Sequence, residues 1–404
     1  MERSGRRLRI AWLGHTSAKL GGGMATYSYA MTAGLRRLGH QITFFHHAGR
    51  AGGQEKGGVD VATLESVPLA AVQLVKPLVL SPGRAKRQLE DRLRQHEFDL
   101  VHASLWFSSI DFELPKICYE AGVPLVATFH VAFDQRVSLM AGLYSSTYRL
   151  YAPTLAKCDR VIVFGPGQRD ILVRMGVPDS IIRIIPNGVD VDCYSPGESD
   201  RRKRFDAERL FLYMGRVDAE KNVGKLLEAF LACEPPATTR MLVMGTGSDR
   251  RRLERIYRDP RIVFMGHIAE EEERIAILRA ADAFFLPSSV EGLSLSMLEA
   301  MACGVATVAT DVGADGEALR GAGIVIDPEN LSEELRLAIR ELIELPFLSR
   351  ELGRLARERV VERFSLRRNL ESLVGVYREL VDEHRARQAE PTRRRRLQVR
   401  PRPM

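Results

Sequence analysis

Short apolar, β-branched segments alternate with helix-like segments along almost the whole chain, and this alternation limits the possible folds most. A strand followed by a helix and a second strand favours a βαβ unit, with a parallel sheet and helices on both faces. The pattern occurs as two complete series, each long enough to build its own sheet. The sequence therefore predicts an α/β protein with two Rossmann-like, doubly wound parallel-sheet domains that face a central cleft.

The predicted strands of the first series are Arg9–Leu13, Gln41–Phe45, Asp99–His102, Pro124–Phe129 and Arg160–Phe164. Those of the second series are Leu210–Met214, Met241–Met244, Arg261–Phe264, Ala283–Leu286, Ala306–Val308 and Gly323–Ile326. The polar, turn-rich segment Ser195–Arg204 is the predicted linker. We therefore predict domains at 1–200 and 201–364, a helical stretch at 365–388 that packs back toward the first domain, and a basic, disordered tail at 389–404.

The net charge of the chain, +7, belongs to its last residues. Residues 385–404 contain eight arginines and one glutamate, so the charges of all other residues cancel. Such a tail is either simply solvated or binds anionic lipid headgroups, at about 1 kcal/mol per basic residue. No aromatic residues are interleaved with the basic ones, which argues against a nucleic-acid partner.

Composition also narrows the class of protein. No run approaches the roughly 18 apolar residues of a membrane span, and the N-terminal residues lack the pattern of a signal peptide. The five cysteines lie far apart and form no C-x-x-C motif, so we expect neither a disulfide framework nor a structural zinc site. The expected location is the reducing cytoplasm.

A glycine-rich loop follows the first predicted strand and ends with Gly21, Gly22 and Gly23 before a helical segment. Adjacent glycines let the backbone approach a phosphate closely, and a helix N-terminus supplies N–H donors. The same residues also suit an ordinary surface turn. The G-x-G-x-x-G fingerprint of dinucleotide-binding proteins is absent there, which argues against a dehydrogenase.

Two basic residues, Arg216 and Lys221, follow the predicted strand Leu210–Met214 at the start of a helical segment. A guanidinium can bind two phosphate oxygens at once, and a lysine acts as a point charge, so the pair suits a diphosphate. Taken alone, the pattern is equally typical of a solvated helix start.

Two glutamates follow the predicted strand Ala283–Leu286. Glu291 falls in the strand-to-helix loop and Glu299 about two turns into the helix, so both can face one ligand. Carboxylates accept hydrogen bonds from the hydroxyls of sugars and ribose. The N-terminus of this helix also offers backbone N–H groups to a phosphate, those of Gly292, Leu293, Ser294 and Leu295.

Three motifs together resemble the retaining GT-B glycosyltransferases of family 4, over roughly residues 7–385. They are I-P-N-G-V-D at 185–190, G-R-x4-K at 215–221 and P-S-x-x-E-G-x6-E-A-M-A-x-G at 287–304. The resemblance implies a GT-B fold whose first domain binds an acceptor and whose second binds a nucleotide-sugar. The implied activity is that of a retaining hexosyltransferase that needs no cofactor and no metal.

The resemblance also implies roles for single residues. Arg216 and Lys221 match the pair that neutralises the donor diphosphate. Glu299 matches the acid that binds the ribose hydroxyls of the nucleotide. Glu291 matches the acid beside the donor sugar.

In the first domain, His130 follows a predicted strand and matches the histidine that approaches the transferred sugar. Gly22 and Gly23 match the glycine loop over the diphosphate. Asp190 and Asp192 spell D-x-D, the manganese signature of the other glycosyltransferase fold. Because they belong to the I-P-N-G-V-D turn, we expect no metal there.

Within the family, segments around 101–104, 125–130, 151–153 and 290–317 most resemble cyanobacterial lipid galactosyltransferases that make digalactosyldiacylglycerol. That likeness implies UDP-galactose or UDP-glucose as donor and a membrane glycolipid, such as monogalactosyldiacylglycerol, as acceptor. It also implies a peripheral position on the cytoplasmic face of a membrane. The alternatives are a family 4 transferase for a soluble sugar or polysaccharide, and a GT-B protein that transfers no sugar.

One segment of the first half fits a lipid acceptor. The apolar stretch Ser66–Gly83 is followed by five basic residues, Arg84, Lys86, Arg87, Arg92 and Arg94. An apolar stretch beside basic residues is typical of interfacial docking to an anionic membrane. The same composition is equally that of a core helix or loop with a solvated basic face.

Overall fold

The computed structural model describes residues 6–14, 23–48, 65–75, 78–95, 98–105, 107–132 and 139–398. Within these residues the chain forms two parallel sheets, each flanked by helices, together with one small antiparallel hairpin. The two-sheet α/β architecture expected from the sequence is therefore confirmed. No helix of the described residues is both long enough and apolar enough to cross a membrane.

The strands are β1 Arg9–Gly14, β2 Gln41–Ala48, β3 Glu65–Ala70, β4 Val72–Val75, β5 Leu78–Leu80, β6 Leu100–Leu105, β7 Leu125–Phe129, β8 Arg160–Val163, β9 Ile182–Ile184, β10 Arg209–Met214, β11 Thr239–Met244, β12 Ile262–Gly266, β13 Ala283–Leu286, β14 Ala306–Thr310 and β15 Ile324–Ile326. The α-helices are α1 Gly23–Arg37, α2 Gly83–Gln95, α3 Leu114–Ala121, α4 Leu139–Leu155, α5 Pro166–Arg174, α6 Arg201–Arg204, α7 Val223–Ala232, α8 Arg250–Ile256, α9 Glu271–Ala280, α10 Leu295–Ala302, α11 Asp315–Leu319, α12 Leu331–Glu344, α13 Pro346–Arg363 and α14 Leu366–Gln398. Short 3₁₀ turns cover Ser109–Phe112, Asp179–Ile181 and Ala219–Lys221.

The first sheet has, in the described part of the chain, seven parallel strands in the order β3-β2-β1-β6-β7-β8-β9. Ile10 of β1 lies opposite Ile42 of β2 on one side and Leu100 of β6 on the other. The strands β6, β7 and β8 are buried along their whole length. Helices cover both faces of such a sheet, and for this reason its strands read as continuous apolar runs in the sequence.

The second sheet has, again within the described residues, six parallel strands in the order β12-β11-β10-β13-β14-β15. Phe211 of β10 lies opposite Met241 of β11 and Ala283 of β13. The strand order reverses between β10 and β13, so the loops that follow these two strands lie side by side. A crevice at such a reversal is where open α/β sheets bind ligands.

The apolar segment Ser66–Gly83 is mostly β-structure, not the core helix or loop considered from composition. β3 pairs in parallel with β2 at the edge of the first sheet, and β4 pairs with β5 in the hairpin. Val67 and Leu69 are buried, whereas Ser66 and Pro68 are exposed. This alternation has the period of two residues that is typical of a strand. The basic residues that follow lie on α2, which buries a separate apolar face formed by Ala85, Leu89 and Leu93.

The long helix α14 returns to the first sheet. Leu370 packs against Gly34 of α1 so closely that a Cβ at this glycine would collide with it. Farther along, the Tyr377 hydroxyl lies 2.6 Å from Nδ1 of His102 in β6. The helix extends to Gln398, whereas the stretch predicted from the sequence ends at residue 388. Four of the ten residues in this extension are arginines, which favour helix, whereas Pro391 within it does not.

Candidate functional site

Lys221 and Glu291 meet at the strand reversal of the second sheet. Lys221 ends the 3₁₀ turn after β10, and Glu291 lies in the loop after β13. The Lys221 Nζ atom is 2.5 Å from Glu291 Oε1, and their side chains are only 11% and 14% exposed. Ser288 Oγ donates to the same carboxylate oxygen at 2.8 Å. Charge-assisted bonds of this kind are short and strong, so the pair holds both side chains in place.

Asn222 links the two loops that carry this pair. Its Nδ2 group donates to the Pro287 carbonyl at 3.0 Å and to Ser289 Oγ at 2.7 Å. In return, the Ser289 N–H donates to the Glu220 carbonyl at 2.8 Å. Asn222 has φ +51°, a left-handed conformation that asparagine tolerates better than most residues. Asn222 was given no role in the predictions from the sequence, although it directly follows Lys221.

Arg216 is the more exposed of the two predicted diphosphate ligands, with 53% of its side chain accessible. Its guanidinium binds Asp218 and also Glu220, the latter at 2.8 Å. The Asp218 carboxylate is fixed in turn by the Ser248 N–H at 2.7 Å. Both predicted cations therefore lie against acidic side chains, and a diphosphate must compete with those acids to bind them.

The two glycines Gly245 and Gly247, directly after β11, support the loop that carries Arg216. The Gly215 N–H donates to the Met244 carbonyl at 3.0 Å. A Cβ at Gly245, where φ is +142°, would collide with the Gly215 carbonyl, and one at Gly247 with that of Val217. Two glycines just after a strand are the sequence signal that could have located this support.

Glu299 lies one turn into α10, not two, because the helix begins only at Leu295. Burial raises the pKa of Glu299 to about 7. Arg274 and a hydrogen bond with Tyr194 oppose this pKa increase, whereas Glu271 adds to it. A carboxyl in this environment changes charge near neutral pH.

Ser294 caps α10 and is tied to a second acid. Its hydroxyl accepts a hydrogen bond from the Met297 N–H at 3.3 Å. Its own N–H donates to Asp315 Oδ1 at 2.7 Å. Of the four N–H groups predicted to bind phosphate, that of Ser294 is therefore already bound to a side chain. Asp315 was not predicted from the sequence to belong to the site, because its partner lies 21 residues away.

Gly292 and Leu293 are held by contacts from other loops. The Gly292 carbonyl accepts from the Ala314 N–H at 2.7 Å, and the Leu293 carbonyl accepts from Asn187 Nδ2 at 2.6 Å. Asn187 belongs to the I-P-N-G-V-D motif of the first half. This motif therefore connects the first half of the chain to the loop that carries Glu291.

His130 follows β7 at the carboxyl end of the first sheet. Its Nε2 atom lies 3.2 Å from Ser104 Oγ, and its ring centroid is 4.8 Å from that of Tyr27 and 5.2 Å from that of Phe164. Burial lowers the pKa of His130 to about 3. The imidazole is therefore neutral at neutral pH, where it can donate or accept a hydrogen bond but adds no positive charge.

Phe164 and Gly165, directly after β8, bring the carboxyl ends of the two sheets together. A Cβ at Gly292 would lie 3.8 Å from Phe164 Cδ2, and a Cβ at Gly165 would lie 3.1 Å from Ala314 Cβ. The Phe164 ring therefore lies between His130 and the loop that carries Glu291. Neither residue was predicted from the sequence to belong to the site, and the local signal that each offers is its position after a strand.

Only the end of the glycine loop lies within the described residues, and the D-x-D sequence forms a turn. Gly23 is the first residue of α1 with nothing within 4 Å of a Cβ placed there, and Gly22 lies outside the described residues. Asp190 Oδ1 accepts from the N–H groups of Asp192 and Cys193, both at 3.1 Å, and so caps its own turn. The described residues contain no cluster of three or more potential metal ligands. The absence of a metal role stays a prediction.

A small cavity, with a volume of about 20 Å³, lies at the carboxyl ends of β1, β2 and β6 in the first sheet. Its polar lining comes from His46, His47, Ser104, Ser108 and Asp111. Ser104 also contacts His130, so the cavity borders the imidazole. Imidazole, hydroxyl and carboxylate groups together suit a ligand that is rich in hydroxyls.

Comparison with known proteins matches both halves of the chain to glycosyltransferases. Residues 21–193 match the family model described as Glycosyltransferase Family 4, and residues 208–345 match the model Glycosyl transferases group 1. Between them, the two matches cover most of the chain and include all the predicted site residues.

Two curated relatives extend over most of the chain. Over 399 residues it is 27% identical to D-inositol 3-phosphate glycosyltransferase of Rhodococcus opacus, covering 88% of this chain and 85% of that protein. Over 309 residues it is 26% identical to alpha-maltose-1-phosphate synthase of Mycolicibacterium smegmatis, covering 70% of this chain and 79% of that protein.

Among solved structures, HepE of Anabaena in complex with UDP has a TM-score of 0.74 at 15% identity, covering 92% of this chain and 100% of that chain. This likeness confirms the GT-B arrangement of the two sheets. The chain therefore belongs to the GT-B glycosyltransferases of the family 4 and group 1 type, and it is a hexosyltransferase that uses a nucleotide-sugar.

Proposed function

We propose that this enzyme transfers a hexosyl group, with retention, from a uridine diphosphate sugar to a hydroxyl of a soluble sugar, polyol phosphate or glycan. The observation that carries the proposal is the buried Lys221–Glu291 pair at the strand reversal of the second sheet. A cation and an acid at such a place match the two halves of a nucleotide-sugar, its diphosphate and its hexose hydroxyls.

The chemistry follows from where charge develops. Breaking the bond between the anomeric carbon and the diphosphate leaves negative charge on the diphosphate and positive character on the sugar. Cations already held beside the leaving oxygens stabilise this transition state more than the ground state. Lys221 and Arg216 are the residues proposed for this role. Once Lys221 binds the diphosphate, Glu291 is available to accept hydrogen bonds from the hexose.

His130 is proposed to contact the transferred sugar from the first domain. Its low pKa keeps the ring neutral, so it acts through hydrogen bonding and shape and not through charge. The proposed route of the acceptor proton is to the departing phosphate, because front-face attack is the mechanism that the family resemblance implies. Glu299, one turn into α10, is proposed to hold the ribose hydroxyls.

The choice of a soluble, hydroxyl-rich acceptor is supported by the cavity beside His130, whose lining includes His46, His47 and Asp111. The names of the two relatives, an inositol 3-phosphate glycosyltransferase and a maltose-1-phosphate synthase, also point to small phosphorylated sugars and polyols. The HepE structure contains UDP, which supports a uridine donor. The absence of a cofactor or metal requirement is part of the proposal.

A glycolipid acceptor is the second candidate, and one surface of the first domain favours it. Leu80, Phe112 and Leu150 are large apolar side chains exposed to solvent. The end of the hairpin that carries Leu80 is joined to the Ser109–Phe112 turn, since the Ser81 N–H donates to Ser109 Oγ at 2.9 Å. The basic helix α2 follows directly. An apolar surface beside basic side chains suits peripheral contact with an anionic membrane.

The decisive experiment combines donors and acceptors. Purified protein is incubated with UDP-glucose, UDP-galactose or GDP-mannose, together with inositol 3-phosphate, hexose 1-phosphates, maltooligosaccharides or vesicles containing monogalactosyldiacylglycerol. Nucleotide release and product mass are recorded. We expect a soluble glycoside from a uridine donor. A digalactolipid would favour the second candidate, and no turnover of any donor would contradict both.

A matched pair of lysine variants tests the diphosphate site. Lys221→Ala should lower kcat by about 10²–10³, because it removes a preorganised charge at the leaving group. Lys225→Ala removes an exposed lysine in the first turn of α7, four residues after Lys221, and should leave kcat unchanged. Near-normal turnover by Lys221→Ala would contradict the assignment of this site.

A further inference from the structure

Asp315 is a buried carboxyl next to the Lys221–Glu291 pair that has no role in the function proposed above. It opens α11 and is only 1% exposed. Its Oδ1 atom accepts the Ser294 N–H at 2.7 Å, whereas Oδ2 is buried with no hydrogen-bond partner among the described residues. An ionised carboxylate with one buried, unpaired oxygen is strongly disfavoured.

The turn before Asp315 lies directly against the peptide of Glu291. The Ala314 N–H donates to the Gly292 carbonyl at 2.7 Å. Gly313 has φ +59°, and a Cβ there would collide with the Glu291 and Gly292 carbonyls. This close packing requires glycine at position 313 and brings the Asp315 carboxyl to the same end of the sheet as Glu291.

Asp315 and Glu291 are both influenced by the charge of the same lysine, Lys221. Glu291 raises the pKa of Asp315 and Lys221 lowers it, while burial, the largest influence, raises the pKa well above its ordinary value. At 2.5 Å, Lys221 is committed to Glu291. Asp315 forms no ion pair with any of the residues that the structure describes, and a buried acid in that position is favoured in its neutral form.

On the basis of the proposed function, we propose that Asp315 is a positioning residue of the donor site, a neutral acid whose Oδ2–H donates to Glu291 when Lys221 turns to the donor diphosphate. No bond to hydrogen is broken in this step, because the proton stays on Asp315. The hydrogen bond replaces the partner that Glu291 loses. Glu291 then keeps its orientation toward the hexose while its lysine binds the leaving group.

Three variants test this role. Asp315→Asn keeps a neutral side chain, an oxygen for the Ser294 N–H and a donor for Glu291, whereas Asp315→Ala is neutral but removes both the oxygen and the donor. Asp311→Asn is the matched control, since it removes an exposed acid of the same loop that binds Arg320 at 3.1 Å. We expect kcat at pH 7 within about twofold of wild type for Asp315→Asn and Asp311→Asn, and about tenfold to a hundredfold lower for Asp315→Ala. The affinity for UDP should change little in all three.

The pH profile of kcat separates this role from a merely structural one. Wild-type kcat should fall on the alkaline side, where Asp315 ionises, and the kcat of Asp315→Asn should not fall there. If Asp315→Asn is as slow as Asp315→Ala, or if wild type and Asp315→Asn have the same alkaline profile, the proposal is overturned. The comparison of wild type with Asp315→Asn decides the matter even if Asp315→Ala does not fold. Failure of the wild type to turn over any donor would instead overturn the proposed function itself.

Discussion

Glu299 is the residue proposed to hold the ribose hydroxyls, and its raised pKa leads to a prediction about donor binding and pH. Burial raises its pKa to about 7, so both protonation states are populated near neutral pH. A carboxylate accepts hydrogen bonds at both oxygens, whereas the protonated acid uses one oxygen as a donor. If Glu299 binds the ribose hydroxyls, UDP should bind about tenfold more tightly at pH 8 than at pH 6. Titration calorimetry at the two pH values measures this.

The variant Glu299→Gln is the test of that assignment. It should bind UDP more weakly than wild type at pH 8, and its affinity should be nearly independent of pH. The neighbouring Arg274 and Glu271 on α9 are unchanged in this variant, so their contribution stays in both proteins. A wild-type affinity that is equal at pH 6 and pH 8 would show that the ribose hydroxyls do not depend on this carboxyl.

Residue types at the site could be predicted from the sequence, but their pairing could not. The lysine and the glutamate were assigned from their motifs to different parts of the donor, yet Lys221 and Glu291 contact each other across 70 residues. Their contact depends on β10 and β13 being neighbours, which the order of strands in the sheet determines and no local pattern encodes. Asp315 was missed for the same reason, since only its contact with Ser294 marks it.

At the scale of elements, α14 is attached to the first sheet by a buried polar contact. Tyr377 and His102 are both fully buried, and the Tyr377 hydroxyl lies 2.6 Å from Nδ1 of His102. The other ring nitrogen lies 2.9 Å from Thr128 Oγ1, and the ring stacks on Trp12 at 3.9 Å. Burial lowers the pKa of His102 well below its ordinary value, so the ring is neutral and can accept from the tyrosine.

Removing that hydroxyl should therefore destabilise the protein. Tyr377→Phe leaves a buried ring nitrogen without a partner, so the free energy of unfolding should fall by about 1–3 kcal/mol. Urea unfolding measures the difference. Tyr119→Phe is the matched control, because Tyr119 is 87% exposed and its hydroxyl should contribute nothing measurable. Equal stability of the two variants would mean that the hydrogen bond to His102 does not hold α14 in place.

The positions of strands could be predicted from the sequence where burial on both faces of the sheet makes the strand apolar throughout. All eleven predicted strands are present, with ends that differ by a few residues. The strands β3, β4, β5 and β9 were missed, and β4 and β5 are short strands of four and three residues. β3 is an edge strand that contains Pro68, and β9 has only three residues, Ile182–Ile184. Edge position and short length both weaken the apolar run on which such predictions depend.

At the scale of the whole molecule, the proposed reaction needs His130 of one sheet to meet the loop of the other that carries Glu291, and Gly165 lies where the two sheets approach each other. Gly165 has φ −162°, an extended conformation open to any residue, so its role is one of space alone. A Cβ there would lie 3.1 Å from Ala314 Cβ, on the turn that holds Gly292. A larger side chain must therefore push the ends of the two sheets apart.

Gly165→Val should consequently uncouple binding from transfer. The proposed nucleotide ligands lie on the second domain, so the affinity for UDP should stay within about twofold of wild type. Displacement of the reacting groups by about 1 Å should lower kcat by about 10². Gly83→Ala is the control within the first domain, since a Cβ there meets nothing within 4 Å. An unchanged kcat in Gly165→Val would mean that the contact at Gly165 does not limit the approach of the two sheets during transfer. Weaker UDP binding by this variant would mean that residues of the first domain contribute to the nucleotide site.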